Sequence, residues 1–469
     1  MKIAFVHYHL KTGGVAAVLK RQVKALGDAC DLVVLTGDRA NAKLPCAVEE
    51  IPGLGYDQPG RSAPPPERVA EQVRQALQRK WPEGCDILHI HNPLLAKNRG
   101  FLRIIRRLQQ FGITLFLQIH DFAEDGRPQA YFDESYPKDC HYGVINRRDE
   151  TILRVAGLDD SGLHYLPNAV EAMPVDASRL PGAQILYPVR AIRRKNPGEA
   201  ILLSLFFEAD QRLAITQPPN SPDDIASYRD WVAWSGANDL PVDFEIGKKM
   251  PFAAIVAASQ SMITTSVSEG FGMAFLEPWT AGKPLWGRRL PDICCDYEDS
   301  GVNLNALYDR IDVPLDWIDR DVFSHRWHKA VRRAADRYGL AIPEATVAKA
   351  FEGLNGKTTI DFGLLDEALQ RQILARLIAS PAAKKELIRT NPRLSETSQA
   401  AAAQRVIQTN RKTVLDRYGM DRYRERLLRI YDRVVNQPVR HCIDKKILLR
   451  SFFKPENFTL LKWAAYAGS

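Results

Sequence analysis

The chain has 469 residues, too long for one ordinary hydrophobic core, and implies two domains of roughly 200 residues each. Hydrophobic residues make up 45% and charged residues 26%, a globular composition, and the formal charge of +8 favours anionic ligands, although a basic solvated surface would account for it equally. Seven cysteines, an odd number without a Cys-x-x-Cys pair, exclude a disulfide framework or zinc ribbon and fit a reducing, cytoplasmic setting.

No run approaches the ~20 apolar residues that cross a bilayer. In chain order, 2–7 reads as a buried strand that is too short for a signal peptide. Gly13-Gly14 follows, then helical spacing over 15–26 and a strand over 31–35. The Pro/Gly-rich stretch 52–66 reads as a loop. Strands over 86–91 and 114–120 flank a basic amphipathic helix over 101–110. That helix is either a solvated face or a peripheral contact to acidic lipid, and the solvated face is preferred.

Pro174, Pro181 and Gly182 mark a linker. A second alternation then places strands over 185–188, 212–216, 262–265 and 283–286, with helices over 198–206, 252–258 and 273–281. From about Pro314 the pattern turns helical and charged, with an alanine run over 400–403. Strands separated by helices imply βαβ units. The expected architecture is α/β, two Rossmann-like domains facing each other across a cleft, with a helical C-terminal region. The expected boundaries are 1–175, 183–438 with a helical insertion, and an aromatic extension 439–469 (Phe452, Phe453, Trp463, Tyr466) packing back on the first domain.

Three segments carry chemistry. Glu269 and Glu277 bracket Gly270-Phe271-Gly272-Met273 between a strand and a helix. Glycines let a backbone approach a ligand, and amides at a helix start suit phosphate. One carboxylate can take sugar hydroxyls and the other ribose hydroxyls. Arg190 to Lys195 follows the first strand of the second domain, and fixed cations there can stabilise negative charge on a leaving phosphate. His120-Asp121, with Glu124 beyond, ends a strand of the first domain.

Together these segments resemble glycosyltransferase family four, whose fold is GT-B and whose reaction retains the anomeric configuration. The match runs from Ser268 to Pro284 through Ala281-Gly282-Lys283-Pro284, and includes Arg190, Lys195 and Gln118 to Glu124. The resemblance implies catalytic roles for His120, Arg190, Lys195 and Glu269, with the ring or carbonyl of His120 near the anomeric carbon. It implies donor contacts from Gly14, Phe271, Gly272, Met273 and Glu277. Gly13, Asp121 and Glu124 become acceptor candidates, although a simple turn explains the glycines and helix capping the carboxylates. Pro167-Asn168-Ala169-Val170 is similar to the family's Pro-Asn-Gly-Val, and residues 418–435 to its closing helix.

The pairs His7/His9 and His89/His91 each share a strand face, but no carboxylate shares their spacing. No metal site and no cofactor are expected. Departures from the family pattern are Thr216-Gln217-Pro218-Pro219, Arg288-Arg289 as phosphate contacts, contacts to an anionic acceptor or surface charge, and the whole of 301–415. The implied activity moves a hexose from a UDP-glucose- or GDP-mannose-type donor to a hydroxyl acceptor of unknown identity. The rivals are an epimerase or phosphorylase on the same fold, and a non-catalytic nucleotide-sugar-binding protein. No nucleic-acid partner is implied, and the oligomeric state is open.

Overall fold

The computed structural model describes residues 1–40, 43–176, 178, 182–354, 358–395 and 404–463. Pro181, the alanine run 400–403 and Tyr466 lie outside the described residues. The chain divides into two compact units, Met1–Ala169 with Tyr418–Phe453, and Val170–Arg417 with Lys454–Ser469.

The first unit runs β1 (Lys2–His7), α1 (Gly14–Leu26), β2 (Asp31–Thr36), β3 (Ala47–Glu50), α2 (Pro66–Lys80), β4 (Ile87–His91), α3 (Phe101–Gln110), β5 (Leu115–Ile119), β6 (His141–Val144), α4 (Arg147–Val155) and β7 (Leu163–Tyr165). Its strands form one parallel sheet in the order β3-β2-β1-β4-β5-β6-β7. β4 and β5 are buried along their whole length, as helices on both faces of a parallel sheet require. The order reverses between β1 and β4, which opens a crevice at their C-terminal ends. β3, α2, β6, α4 and β7 were not expected. The strands among them are three or four residues long, and α2 carries a thin apolar stripe between many charges.

The basic side of α3 is engaged within the protein. Arg106 binds Glu134 at 2.6 Å and the Ser135 carbonyl, while Arg107 lies 4.7 Å over the Phe111 ring. Among the described residues no helix is long and apolar enough to cross a membrane.

The second unit contains β8 (Gln184–Arg190), α5 (Pro197–Ser204), β9 (Arg212–Gln217), α6 (Pro222–Ala237), β10 (Val242–Asp243), α7 (Ile246–Lys249), α8 (Phe252–Ala258), β11 (Ser259–Thr264), α9 (Glu277–Thr280), β12 (Leu285–Gly287) and α10 (Pro291–Asp299). The sheet is parallel, in the order β10-β9-β8-β11-β12, with its reversal between β8 and β11. The helix expected over 273–281 is broken. A 3-10 turn at Met273–Phe275 precedes α9, which is four residues long. Glu277 is therefore the first residue of a helix, and the segment is too short for a helix dipole to aid anion binding.

The described residues between 301 and 395 form an antiparallel ribbon, β13 (Asp312–Pro314) with β14 (Thr359–Asp361), and four α-helices, α11 (Arg320–Arg337), α12 (Glu344–Leu354), α13 (Glu367–Ala379) and α14 (Pro381–Thr390). Two carboxylates tie this region to the sheet. Asp361 takes both terminal nitrogens of Arg288 at 2.7 and 2.8 Å, and Glu367 takes Arg193. Arg288 is buried, and its remaining donors reach Glu199 in α5 at 2.6 to 3.1 Å. Arg289 pairs with Glu298 and Asp309. Buried Arg288 is therefore neither a phosphate or acceptor contact nor a surface charge, which corrects those readings for that residue. Gly287 has φ +128, and a Cβ there would lie 2.0 Å from the Thr264 carbonyl oxygen, so only glycine fits between β12 and β11.

The C-terminal boundaries also differ from expectation. Helix Met420–Asn436 belongs to the first unit, where Tyr423, Leu427 and Tyr431 are buried against α1 and the sheet. Helix Lys445–Phe452 stays there too, with Phe452 4.8 Å from Phe122. The last aromatics leave it. Phe458 and Trp463 stack at 4.8 Å in the second unit, where Trp327 donates to the Phe458 carbonyl. The first unit thus closes at Phe453 because the apolar surface that receives Phe458 lies on α11.

Arg288→Met is expected to cost about 3–5 kcal/mol of stability in chemical denaturation, because it strands Glu199 and Asp361 as buried carboxylates without a counter-charge.

Candidate functional site

In the second unit the sheet reversal brings two loops together. Arg190 ends β8, and the loop after it runs through Arg193–Lys195 into α5. The loop after β11 carries Ser268 to Gly272. Lys195 donates from Nζ to Glu269 Oε1, and Arg194 Nη1 lies 3.6 Å from Glu269 Oε2 while donating to the Ser268 carbonyl at 2.9 Å. Glu269 is buried and Lys195 is half-buried. Burial lowers the Lys195 pKa, and Glu269 opposes that shift. Burial pushes the Glu269 pKa up, but Lys195 and Arg194 outweigh it and hold the carboxyl below its ordinary range. The site is an ionised pair stabilised by a second cation.

The backbone under Lys195 is fixed from three sides. Tyr187 in β8 donates to its carbonyl at 2.5 Å, and Thr265 Oγ1 at 3.0 Å. Asn196 follows in the left-handed region at φ +52 and caps α5 by accepting from the Glu199 amide. Arg190 is half-buried and forms no ion pair among the described residues. Phe271 is buried with its ring 5.7 Å from Tyr297, whose hydroxyl donates to the Phe271 carbonyl. Gly272 sits at φ +79, a conformation that turns the chain into the Met273 turn. Met273 and Glu277 are half-buried. Lys283 instead donates to the Ser259 carbonyl at 2.5 Å, a structural role beneath the sheet.

In the first unit His120 lies just past β5. Asn92, at φ +51 after β4, accepts from the His120 and Asp121 amides at 2.7 and 3.1 Å through Oδ1. His120 Nε2 shares a 3.0 Å hydrogen bond with His91 Nδ1. Burial lowers the His120 pKa to about 4, with Asp121 opposing, so the ring is neutral at neutral pH. Gly13 and Gly14 are exposed. A Cβ on Gly14 would meet nothing within 4 Å, so packing does not explain the glycine pair at the α1 start. Asp121 accepts from Arg127 at 2.7 Å.

Glu124 is placed differently from an acceptor contact. It is fully buried, takes the Tyr136 hydroxyl at 2.8 Å, and faces Lys445, whose ammonium lies 4.1 Å from the Tyr131 ring centroid. Burial raises its pKa to about 7. A carboxyl without solvent contact cannot reach an acceptor there, and its partners make it structural.

Four residues around these sites were not anticipated: Arg194, Tyr187, Asn92 and His91. Arg194 was visible as part of a basic run, and His91 as part of a His-x-His pair. Tyr187 and Asn92 act through contacts 78 and 28 residues away in sequence, which leave no local signal. Among the described residues no group of three or more His, Cys, Asp or Glu is arranged to hold a metal ion.

No protein-family model matches the chain. A mannosylglucosyl-3-phosphoglycerate synthase from Petrotoga mobilis is 27% identical over 416 residues, which span 78% of this chain and 79% of that protein. Among solved structures, Anabaena Alr3699/HepE in complex with UDP-glucose aligns with a TM-score of 0.52 at 13% identity, over 92% of this chain and 99% of that one. A Rickettsia africae glycosyltransferase aligns with a TM-score of 0.50 at 9% identity, over 93% and 99%. The chain has the fold of these proteins, the two-Rossmann GT-B fold.

Because the raised Glu124 pKa favours the protonated carboxyl in the folded state, its contribution is fully present below the unfolded value and is lost as pH rises through about 7. Glu124→Gln is therefore expected to be more stable than the parent at pH 8 and to show no such gain at pH 4, read as melting temperatures at the two pH values.

Proposed function

We propose that this GT-B glycosyltransferase moves a hexose from a nucleoside-diphosphate sugar to a hydroxyl acceptor, with retention at the anomeric carbon and without a catalytic metal. The observation that carries the reading is the ionised set at the strand-order reversal of the second sheet, where half-buried Arg194 and Lys195 flank the buried Glu269. This is where an open parallel sheet binds its ligand.

In the proposed reaction the bond between the anomeric carbon and the leaving phosphate oxygen breaks, and its electron pair stays on the diphosphate. Arg190 and Lys195, both half-buried, stabilise that charge. The acceptor oxygen attacks the same face of the sugar and passes its proton to the leaving phosphate. Glu269 takes donor sugar hydroxyls and Glu277 the ribose. Phe271, Gly272, Met273 and Gly14 line the donor, while the neutral His120 supports the positive charge growing at the anomeric carbon. An imidazolium there would oppose it. Gly13 and Asp121 lie on the acceptor side.

The donor is of the UDP-glucose or GDP-mannose type. The UDP-glucose complex of HepE supports the first, and the mannosyl group in the Petrotoga protein's name supports the second. That name also contains a phosphoglycerate, which together with the +8 charge supports an acceptor that is an anionic glycoside.

A donor panel tests the proposal. A cognate nucleotide sugar at 100 times its Kd stabilises the folded chain by about 2.7 kcal/mol, a readily measured rise in melting temperature. With an acidic glycosyl acceptor, Lys195→Ala and Glu269→Ala are expected to lower kcat by about 100-fold or more. The product anomer should match the donor by proton NMR, and a chelator should leave the rate unchanged. Absence of donor binding, hydrolysis and transfer across the panel would sink the proposal.

A further inference from the structure

The first unit buries a cluster of histidines that the proposed reaction does not use directly. His7 on β1, His89 and His91 on β4, and His120 after β5 are all buried. Neighbouring parallel strands and the period-two alternation along β4 set their rings side by side. His89 and His91 stack at 4.6 Å and 18°, and His91 and His120 at 5.3 Å and 16°. His7 meets His91 edge-on at 6.1 Å.

The tautomers follow from the partners. Gln118 Oε1, an acceptor only, lies 3.0 Å from His89 Nε2, so the neutral His89 carries its proton on Nε2. Its Nδ1 then accepts from the Tyr431 hydroxyl at 2.8 Å. His89 is thus locked between Gln118 and the C-terminal helix Met420–Asn436. Against this fixed ring His91 stacks, offering Nδ1 to His120 while its own Nε2 has no partner among the described residues. His91 spends its hydrogen bond on His120 alone.

We infer that His91 is a positioning residue, whose stacked ring and Nδ1 hold His120 in one orientation at the C-terminal edge of the sheet and couple its tautomer to that of His91. The inference rests on the reading above that His120 faces the anomeric carbon. Two neutral imidazoles can share one hydrogen bond only if one donates and the other accepts, so His120 Nε2 cannot change its role unless His91 changes with it. The stacked His89 removes the freedom of His91 to rotate. Titratable groups facing the pair are His7, His89 and Asp121. Burial is the first cause of the low pKa of both His91 and His120, so neither ring is a charged partner for the other at neutral pH.

Two substitutions separate positioning from packing. His91→Phe keeps a stacked ring and removes the hydrogen bond. His91→Asn keeps a hydrogen-bonding group near the Nδ1 position. The full-length protein, labelled with nitrogen-15 histidine, reports tautomers by NMR, with the His120 signal assigned by its loss in His120→Gln. His91→Phe is expected to change the His120 tautomer ratio and to lower kcat about tenfold or more, with the donor KM within twofold of the parent. His91→Asn is expected to restore the parent ratio and most of the rate. The melting temperature of His91→Phe should stay close to that of the parent, since an unpartnered His91 Nε2 is exchanged for an unpartnered His120 Nε2. An unchanged His120 tautomer in His91→Phe overturns the inference, as does a changed tautomer with unchanged kcat. If the parent protein transfers no sugar, the proposed function fails by itself, and the tautomer comparison still decides whether His91 positions His120.

Discussion

Arg288 holds the second unit together at the place that matters most. Its guanidinium is enclosed by Glu199 on α5 and Asp361 on β14, with the Asp309 carbonyl as a further acceptor. A buried cation must have its counter-charges, so α5 and the ribbon cannot drift from β12 without exposing three desolvated charges. Glu199 is the residue whose amide Asn196 caps, and Asn196 follows Lys195. The position of Lys195 is therefore set by a chain of contacts that begins at Arg288. Residues 301–395, which resemble nothing in the rest of the family pattern, supply Asp361 and Glu367 to that chain. They act as a brace for the phosphate-side loop.

The two units meet opposite electrostatic demands with the same topology. In each, a strand-order reversal leaves loops at the carboxyl edge of a parallel sheet. The second unit fills that edge with ions. Glu269 remains a carboxylate in a buried site because two cations adjoin it. The first unit fills its edge with imidazoles and gives them amides and tyrosines as partners, so that burial keeps them neutral. The C-terminal helix belongs to the second arrangement, since Tyr423 and Tyr431 complete the partners of Gln22 and His89.

Local pattern was enough for the central strands and for the helices with wide apolar faces. Phe101–Gln110 and Phe252–Ala258 are found at the expected bounds, and the expected core strands lie within 3 residues of theirs at either end. Short outer strands such as His141–Val144 were invisible, because four residues with a histidine and a glycine carry no period. The 273–281 segment misled, since its helical spacing hides Gly272 at positive φ and a proline at the second position of α9. Ala169 in place of glycine raised a question that the backbone answers, as Ala169 is not among the residues at positive φ.

The sequence alone determined the fold class and singled out Arg190, Lys195, Glu269 and Glu277 as candidates. Both are written in short windows, where periodicity and a few chemically constrained positions suffice. The tertiary structure decided which charges are available and which are spent. In sequence Arg288, Arg289, Lys283 and Glu124 look as available as Arg190, but in the structure all four are held by partners. The widest pairings join Arg288 to Glu199 and Asp361, 89 and 73 positions away, and Lys195 to Glu269, 74 away. Pairing across such separations is a property of how the elements pack, and no local window contains it.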